Sequence, residues 1–307
     1  MNEYHSLELR HLRYFVAVAE ELNLSRAARR LHLSQPPLSR QIQNLEKMTG
    51  AALFTRTARG MDLTEAGSVL LGEARNLLEF ASQAMERTRR VGRGELGRIH
   101  LGGFGSLMLD AVPQFLAQFS AAHPLIEVVL HTLNRPEQLA ALRQRRIGAA
   151  FVRGEPGAPD IAAEAFVRES LFAALPATHA LAKRKRVHLR DLAQLPLVMQ
   201  GSGPRPNFTD TLLGLFAKAG LQPVVAQNVG DSITAVAVVA GGFGAALVPA
   251  STRHLTLPGV AFVPVSGVLA SSDIVCIYRS GDDSPVLHTF LRELRLFRRA
   301  MKNGRMT

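Results

Sequence analysis

Residues 9–67 read LRHLRYFVAVAEELNLSRAARRLHLSQPPLSRQIQNLEKMTGAALFTRTARGMDLTEAG, and their apolar spacing decides the fold of the amino-terminal part. In LRHLRYFVAVAEEL, Leu9, Leu12, Phe15, Val16, Ala19 and Leu22 recur three and four residues apart, which predicts a first helix. Ser25 stands as an N-cap for a short second helix, RAARRL, whose Ala27, Ala28 and Leu31 allow close packing on the first. His32 and Leu33 form a turn. Ser34 caps a third helix with Pro36 and Pro37 in its first turn, where a missing N–H costs little because those donors are unpaired anyway. Leu38, Ile42 and Leu45 fall on one face of this helix, and Gln35, Ser39, Arg40, Gln43 and Asn44 on the other. A short helix, a tight turn and a polar-faced helix behind an apolar first helix make a helix-turn-helix. LFTRTARGMDL adds a small hairpin around Thr57 to Gly60, so an otherwise all-α domain over 1–63 is of the winged variety.

Charge is concentrated on the same stretch. The chain of 307 residues has a formal net charge of +11, which by itself separates nucleic-acid binders from other proteins poorly. Between Ser25 and Arg59, however, Arg26, Arg29, Arg30, Arg40, Lys47, Arg56 and Arg59 stand against Glu46 alone, a net +6 in 35 residues. That focus points to a polyanion for the amino-terminal region and not for the rest.

Working outward, Thr64 and Glu65 open a long helix over 64–90 in which Leu70, Ala74, Leu77, Ala81 and Ala84 alternate at spacings of four and three, with Leu71, Leu78 and Met85 beside them. The stripe suits a helix that dimerises; its plainer reading is packing on its own domain. VGRGELGR, residues 91–98, is Gly- and Arg-rich and reads as a hinge. Over 99–307, the short apolar runs IHLGGF, IEVVLHT, GAAFV, PLVMQ, PVVAQ and AALVPA alternate with helical stretches such as AVPQFLAQFSAAH and DTLLGLFAKAG. Such alternation implies α/β architecture with parallel sheets covered by helices. About 200 residues is generous for one sheet, so two lobes with a ligand cleft between them are expected, the second over roughly 169–268. The uncharged stretch from Ser232 to Thr252 raises a membrane question, but Gly241, Gly242 and Gly244 break it and Pro249 closes it, which fits a buried helix, a turn and a buried strand.

The quoted segment resembles the amino-terminal signature of LysR-type transcriptional regulators, and the downstream part is similar to their effector domains. GPRPNFTDTLLGLFAKAG and LVPAST resemble the branch that responds to benzoate, muconate and chlorocatechol-pathway compounds. The resemblance implies a winged helix-turn-helix, a dimerising linker helix, and two lobes like those of type 2 periplasmic binding proteins. It also implies tetramers on bipartite promoter DNA, activation of transcription with RNA polymerase as a partner, and control of aromatic compound catabolism.

For the third helix the chemistry agrees without the family. Gln35, Ser39 and Arg40 share a broad face suited to the major groove: Arg pairs bidentately with guanine, Gln with adenine, and Ser reaches a phosphate or a base. Pro36 and Pro37 offer apolar surface to a thymine methyl, Arg59 at the wing tip suits an A·T-rich minor groove, and Arg56 neutralises phosphate. Gln43 and Asn44 are as readily solvated surface positions. Downstream, Gly105, Ser106 and Leu107 form a glycine-rich turn after a strand and at a helix start, where N–H groups and the positive helix end suit a carboxylate, although simple strand-to-helix packing gives the same pattern. A second helix start, Pro206, Asn207 and Phe208, offers amides, a polar side chain and an aromatic wall. By resemblance, Ser106 and Asn134 hold one end of a small organic acid, such as an aromatic acid or a muconate, and Pro206 to Phe208 bound the other lobe. Arg153 neutralises the acid or, alternatively, sits in an exposed salt bridge.

Other classes fit less well. Composition, with 47% apolar and 20% charged residues, is that of a soluble globular protein. One cysteine, Cys276, permits no internal disulfide, Cys-rich zinc site or iron–sulfur cluster, so no cofactor or metal is expected and a reducing, cytoplasmic compartment is. The ten histidines show no H-E-x-x-H spacing, G-x-S-x-G is absent, and Gly103, Gly105 and Met108 leave a dinucleotide fingerprint incomplete. An α/β enzyme does not account for a basic helix-turn-helix followed by a dimerising helix, and a nucleoid protein needs no two-lobed domain.

Overall fold

The computed structural model describes residues 7–57, 60–154, 158–201, 207–266 and 271–303, and the chain divides between Arg89 and Arg90 into two compact units. In the first, α1 (Leu9–Glu21) buries Leu12, Phe15, Val18 and Ala19, while Leu9 and Leu22 at the ends of the stripe stay exposed. The next helix, α2 (Leu24–Arg30), starts two residues earlier than Ser25 would allow as its cap. Asn23 takes that role, accepting from Arg26 N, and Ser25 lies within the helix. His32, with φ of +53°, makes the turn into α3 (Gln35–Thr49). Ser34 precedes α3 with extended backbone, but its hydroxyl makes no capping bond. Leu38, Ile42 and Leu45 are buried against α1 and α2, which holds the opposite face of α3 outward. Strands β1 (Phe54–Thr57) and β2 (Gly60–Leu63) pair antiparallel as the hairpin, and the tip, with Arg59, lies outside the described residues.

The long helix α4 (Glu65–Gly92) divides the expected stripe in two. Ala74 is fully buried and Leu70, Leu71 and Leu78 pack on the core of the amino-terminal unit, so the plainer reading holds for the first half. Off that packed face Leu77, Phe80 and Met85 are 47%, 71% and 57% exposed.

The second unit opens with a connection shorter than the expected 91–98, because the helix runs to Gly92 and strand pairing begins at Gly97. Gly94, with φ of +65°, ends the helix: its N–H reaches Val91 O and that of Glu95 reaches Arg90 O. The first lobe is a sheet of β3 (Gly97–Gly103), β4 (Ile126–Thr132), β5 (Ala149–Arg153), the first half of β6 (Ile161–Pro176) and β12 (Ser271–Arg279). On one face α5 (Ala111–Ala122) and α10 (Pro285–Lys302) bring Phe115, Phe119, Phe290 and Phe297 into a packed aromatic core. On the other, α6 (Arg135–Arg143) contributes Ala141 and Leu142.

In the second lobe, the far half of β6 pairs with β10 (Ala246–Pro249) and β11 (Val260–Ser266), which also pairs with the short β7 (Val187–His188) ahead of α7 (Leu189–Leu192). Strands β8 (Pro196–Gln200) and β9 (Val224–Val229) pair separately, with α8 (Phe208–Lys218) and α9 (Ser232–Ala240) alongside. The sheets are mixed, not parallel as expected. The β3–β4, β3–β5 and β8–β9 pairs are parallel, whereas β6 carries the chain out of the first lobe and β12 brings it back, so those two run antiparallel. The uncharged stretch becomes α9, a glycine turn and β10. At Gly244, φ +122°, a Cβ would lie 2.1 Å from Pro196 O, which is why a glycine closes that turn. No helix among the described residues is long and apolar enough to cross a membrane.

Candidate functional site

Two regions collect the functional side chains, one in each unit. In the first, burial of Leu38 and Ile42 sets the rotation of α3, so that Gln35, Pro36, Pro37, Arg40, Gln43 and Asn44 are exposed and Ser39 is half-buried. The Ser25 hydroxyl donates to Gln35 Oε1 at 2.9 Å. The charge count along the sequence needs a correction, because α1 supplies acids from outside the basic window. Arg30 pairs with Glu20 at 2.8 Å and Arg26 with Glu21 at 3.3 Å, while Arg75 of α4 also reaches Glu20 at 2.8 Å. Hydrogen bonds from Arg75 and Arg30 hold the Glu20 carboxyl below its usual range. The outward basic set is therefore Arg29, Arg40, Lys47 and Arg56, all exposed. Glu46 serves the fold, accepting from the N–H groups of Leu53 and Phe54 ahead of the wing.

In the second unit a cleft lies between the lobes. The first lobe lines it with Phe104 to Leu107, Arg135, Gln138 and Phe151 to Arg153, and the second with Gln200, Gly201, Asn207, Phe208 and Gly230 to Ser232. Arg153, at the end of β5 and only 9% exposed, is its centre: Nη2 donates to Ser106 Oγ at 3.1 Å and Nη1 to Ser272 Oγ at 3.0 Å. Nη1 also lies 2.6 Å from Glu169 Oε2, a carboxylate 6% exposed that accepts no aligned hydrogen bond at that oxygen. The Phe208 ring, from the second lobe, sits 5.6 Å from the guanidinium carbon. Burial pushes the Arg153 guanidinium down from its ordinary value and Glu169 opposes the shift. An arginine stays cationic through such a change, so the cleft presents a fixed positive group backed by one internal anion. Ser106 and Ser232 meet across the lobes at 3.4 Å.

Residues 9–68 match the family described as bacterial regulatory helix-turn-helix protein, lysR family, and residues 92–297 match the LysR substrate binding domain. The chain belongs to the LysR family. It is 36% identical to the HTH-type transcriptional regulator ClcR of Pseudomonas putida over 288 residues, 94% of this chain and 98% of the relative. The structure of full-length CbnR complexed with its target DNA superposes with a TM-score of 0.82 at 34% identity, covering 95% of this chain and 99% of that one. The BenM effector binding domain with its effector benzoate gives 0.60 at 27% identity, covering 68% of this chain and 94% of that one. This LysR-family chain is thus a DNA-binding transcriptional regulator with an effector-binding domain, and the enzyme and nucleoid readings find no support in its relatives.

Within this LysR frame the structure brings Gly105, Ser106, Leu107, Arg153, Asn207 and Phe208 to one cleft. Pro206, like Arg59, lies outside the described residues. Asn134 is not among the lining residues. Its Oδ1 accepts from Glu137 N at 3.1 Å as the cap of α6, which commits it to holding the helix end. The glycine-rich turn also differs from expectation. With Gly105 at φ +58°, residues Gly105–Leu109 form a 3-10 turn and α5 starts only at Ala111, so Ser106 itself, 4% exposed, replaces a helix terminus as the polar group. Arg153 is in a buried ion pair, not an exposed one. Reading the sequence missed Arg135 and Gln138, placed by the Asn134 cap, and Asp231 and Ser232 at the start of α9. The signal was Gly230, Asp231 and Ser232 at the junction of β9 and α9, just ahead of and entering the uncharged stretch weighed as a membrane question.

Cys276 is fully buried, and burial, then Glu164, push its thiol up, which makes it inert. Among the described residues no group of His, Cys, Asp and Glu could hold a metal.

Proposed function

We propose that this regulator reads promoter DNA through Gln35, Pro36, Pro37, Ser39 and Arg40 and that a small carboxylate bound between the lobes against Arg153 and Ser106 modulates its action. The carrying observation is the buried Arg153 guanidinium, which reaches Ser106 and Glu169 in the first lobe and stacks on Phe208 of the second. An anion that displaces Glu169 from this guanidinium touches both lobes at once and so favours one lobe arrangement. Benzoate as the effector of BenM, and target DNA bound by CbnR, support both halves of the reading. The exposed Leu77, Phe80 and Met85 support a homodimer through α4, on which a tetramer, contact with RNA polymerase, activation at aromatic catabolic promoters and a cytoplasmic location rest as the family's habit. Thermal melting of the full chain with benzoate, related aromatic acids and cis,cis-muconate tests the ligand half. Binding to the native state raises Tm, the stabilisation growing as RT ln(1 + [L]/Kd), and silence across the series removes the carboxylate.

A further inference from the structure

A second pocket opens in the first lobe, at the other ends of its strands from the cleft. Arg98 and His100 of β3, Arg145 and Arg146 after α6, Arg279 at the end of β12 and the start of α10 line it. Among the described residues Asp282 is its single acid. Arg279, 20% exposed, donates to the Leu142 and Ile147 carbonyls and pairs with Asp282, so it belongs to the fold. Arg98 pairs with Glu127 of β4 at 2.6 Å, and Arg143, the last residue of α6, takes Asp160 at 2.8 Å. Asp283 is exposed and does not line the pocket. Arg145 and Arg146 are left over. Arg146 Nε donates to the neutral Gln144 Oε1 at 2.8 Å, and neither arginine has a carboxylate partner among the described residues. Both are exposed, so an arriving group reaches them.

The backbone holds this pair in place. Arg145 has φ of +58°, with its N–H on Leu142 O and that of Arg146 on Ala141 O. Helices commonly end on a glycine in that conformation, because a side chain strains it. Here the strained position carries a guanidinium, and two adjacent cations line one pocket. Two guanidinium groups without a counter-charge match two negative charges on one compact group. Each planar fork donates parallel N–H bonds to oxygens of a single centre. A phosphate monoester brings close to two charges and three acceptor oxygens at neutral pH, whereas a monocarboxylate brings one charge and two oxygens.

We propose that this pocket is a second ligand site, taking a dianionic oxyanion of the phosphate-monoester class against Arg145 and Arg146. The site is separate from the carboxylate cleft, and neither reading depends on the other. An occupant lies beside the entry of the chain into the second unit, where Gly94 packs so closely on the start of α10 that a Cβ would lie 2.2 Å from Pro285 O.

The test is calorimetric titration of the full chain, in phosphate-free buffer of fixed ionic strength, with inorganic phosphate, glucose 6-phosphate, AMP, succinate and benzoate. At least one phosphate-bearing ligand is expected to bind. It is expected to bind at least roughly tenfold more weakly to the double variant Arg145→Gln, Arg146→Gln, which loses hydrogen bonds to a charged group. Both changes are at exposed positions, so the variant is expected to keep its Tm. Inorganic phosphate ahead of both esters identifies the free ion as the ligand, and the reverse order an organic phosphate; either supports the site. Benzoate and operator affinities are expected to be the same in variant and wild type. No binding by any of the three phosphates, binding that the double variant retains, or succinate as tight as the phosphates overturns the proposal. So does a loss of benzoate or operator affinity in the variant, which would make the two arginines part of the acid site or contacts to the duplex backbone.

Discussion

In the proposed site two anions compete for the Arg153 guanidinium. Glu169 holds it in the free protein at 2.6 Å, both side chains nearly buried, and an arriving carboxylate must share or replace that contact. Glu169→Gln keeps the size of the side chain and removes its charge, so acids are expected to bind about tenfold tighter, a magnitude typical of a hydrogen bond to a charged group. Calorimetry checks this, and unchanged or weaker binding would mean that the acid does not lie against Arg153. On α3, Arg40 is exposed on the face opposite the buried Leu38 and Ile42. Arg40→Ala is expected to cost about 1–3 kcal/mol in operator affinity and to relax base preference at one position. Anisotropy titrations on operator and random duplexes separate the cases, since equal losses on both reduce Arg40 to a phosphate contact.

Among the elements, α1, α2 and α4 are clamped by Glu20, whose carboxylate receives both Arg30 and Arg75. Its pKa is depressed in the folded state, so its stabilising effect is present above the ordinary carboxyl value of 4.5 and is lost as pH falls below it. Glu20→Gln is therefore expected to lower Tm at neutral pH and to converge with the wild type in acid; curves that stay parallel down to acid pH would show that the clamp contributes nothing. The helix-turn-helix was legible because its apolar periodicity is local: Leu38, Ile42 and Leu45 repeat within one helix, and the turn needs only His32 and Leu33. The pairing of Arg26 and Arg30 with Glu20 and Glu21 was not, since a count over a window ignores the neighbouring helix. In the second unit β8, β4 and the α9 segment were readable as runs. The path of β6 through both lobes was not, because IAAEAFVRESLFAALP changes its buried face midway and no local pattern tells a strand which sheet it serves. Asn134 differs for a related reason: resemblance gives a position, whereas the cap that occupies its oxygen appears only with α6 folded.

For the molecule as a whole, the proposed function needs paired recognition helices and a ligand cleft in one chain. Leu77 and Phe80 of α4 stay exposed on a helix whose Leu70, Leu71, Ala74 and Leu78 are already packed on its own domain, and a second copy of the same helix buries such residues without new chemistry. Leu77→Glu with Phe80→Glu is expected to shift the protein toward monomer in analytical ultracentrifugation and to reduce operator affinity while leaving acid binding unchanged; an intact oligomer would move the dimer contact off this helix. The most direct measurement of the central claim is a DNase I footprint of the purified protein on the intergenic region upstream of its own coding sequence, with and without the acid that raises its Tm. Protection of two separated, symmetry-related half-sites whose extent or hypersensitive positions change when the acid is added is the expected result. Uniform protection of unrelated DNA, or a footprint indifferent to every acid that binds, would contradict it.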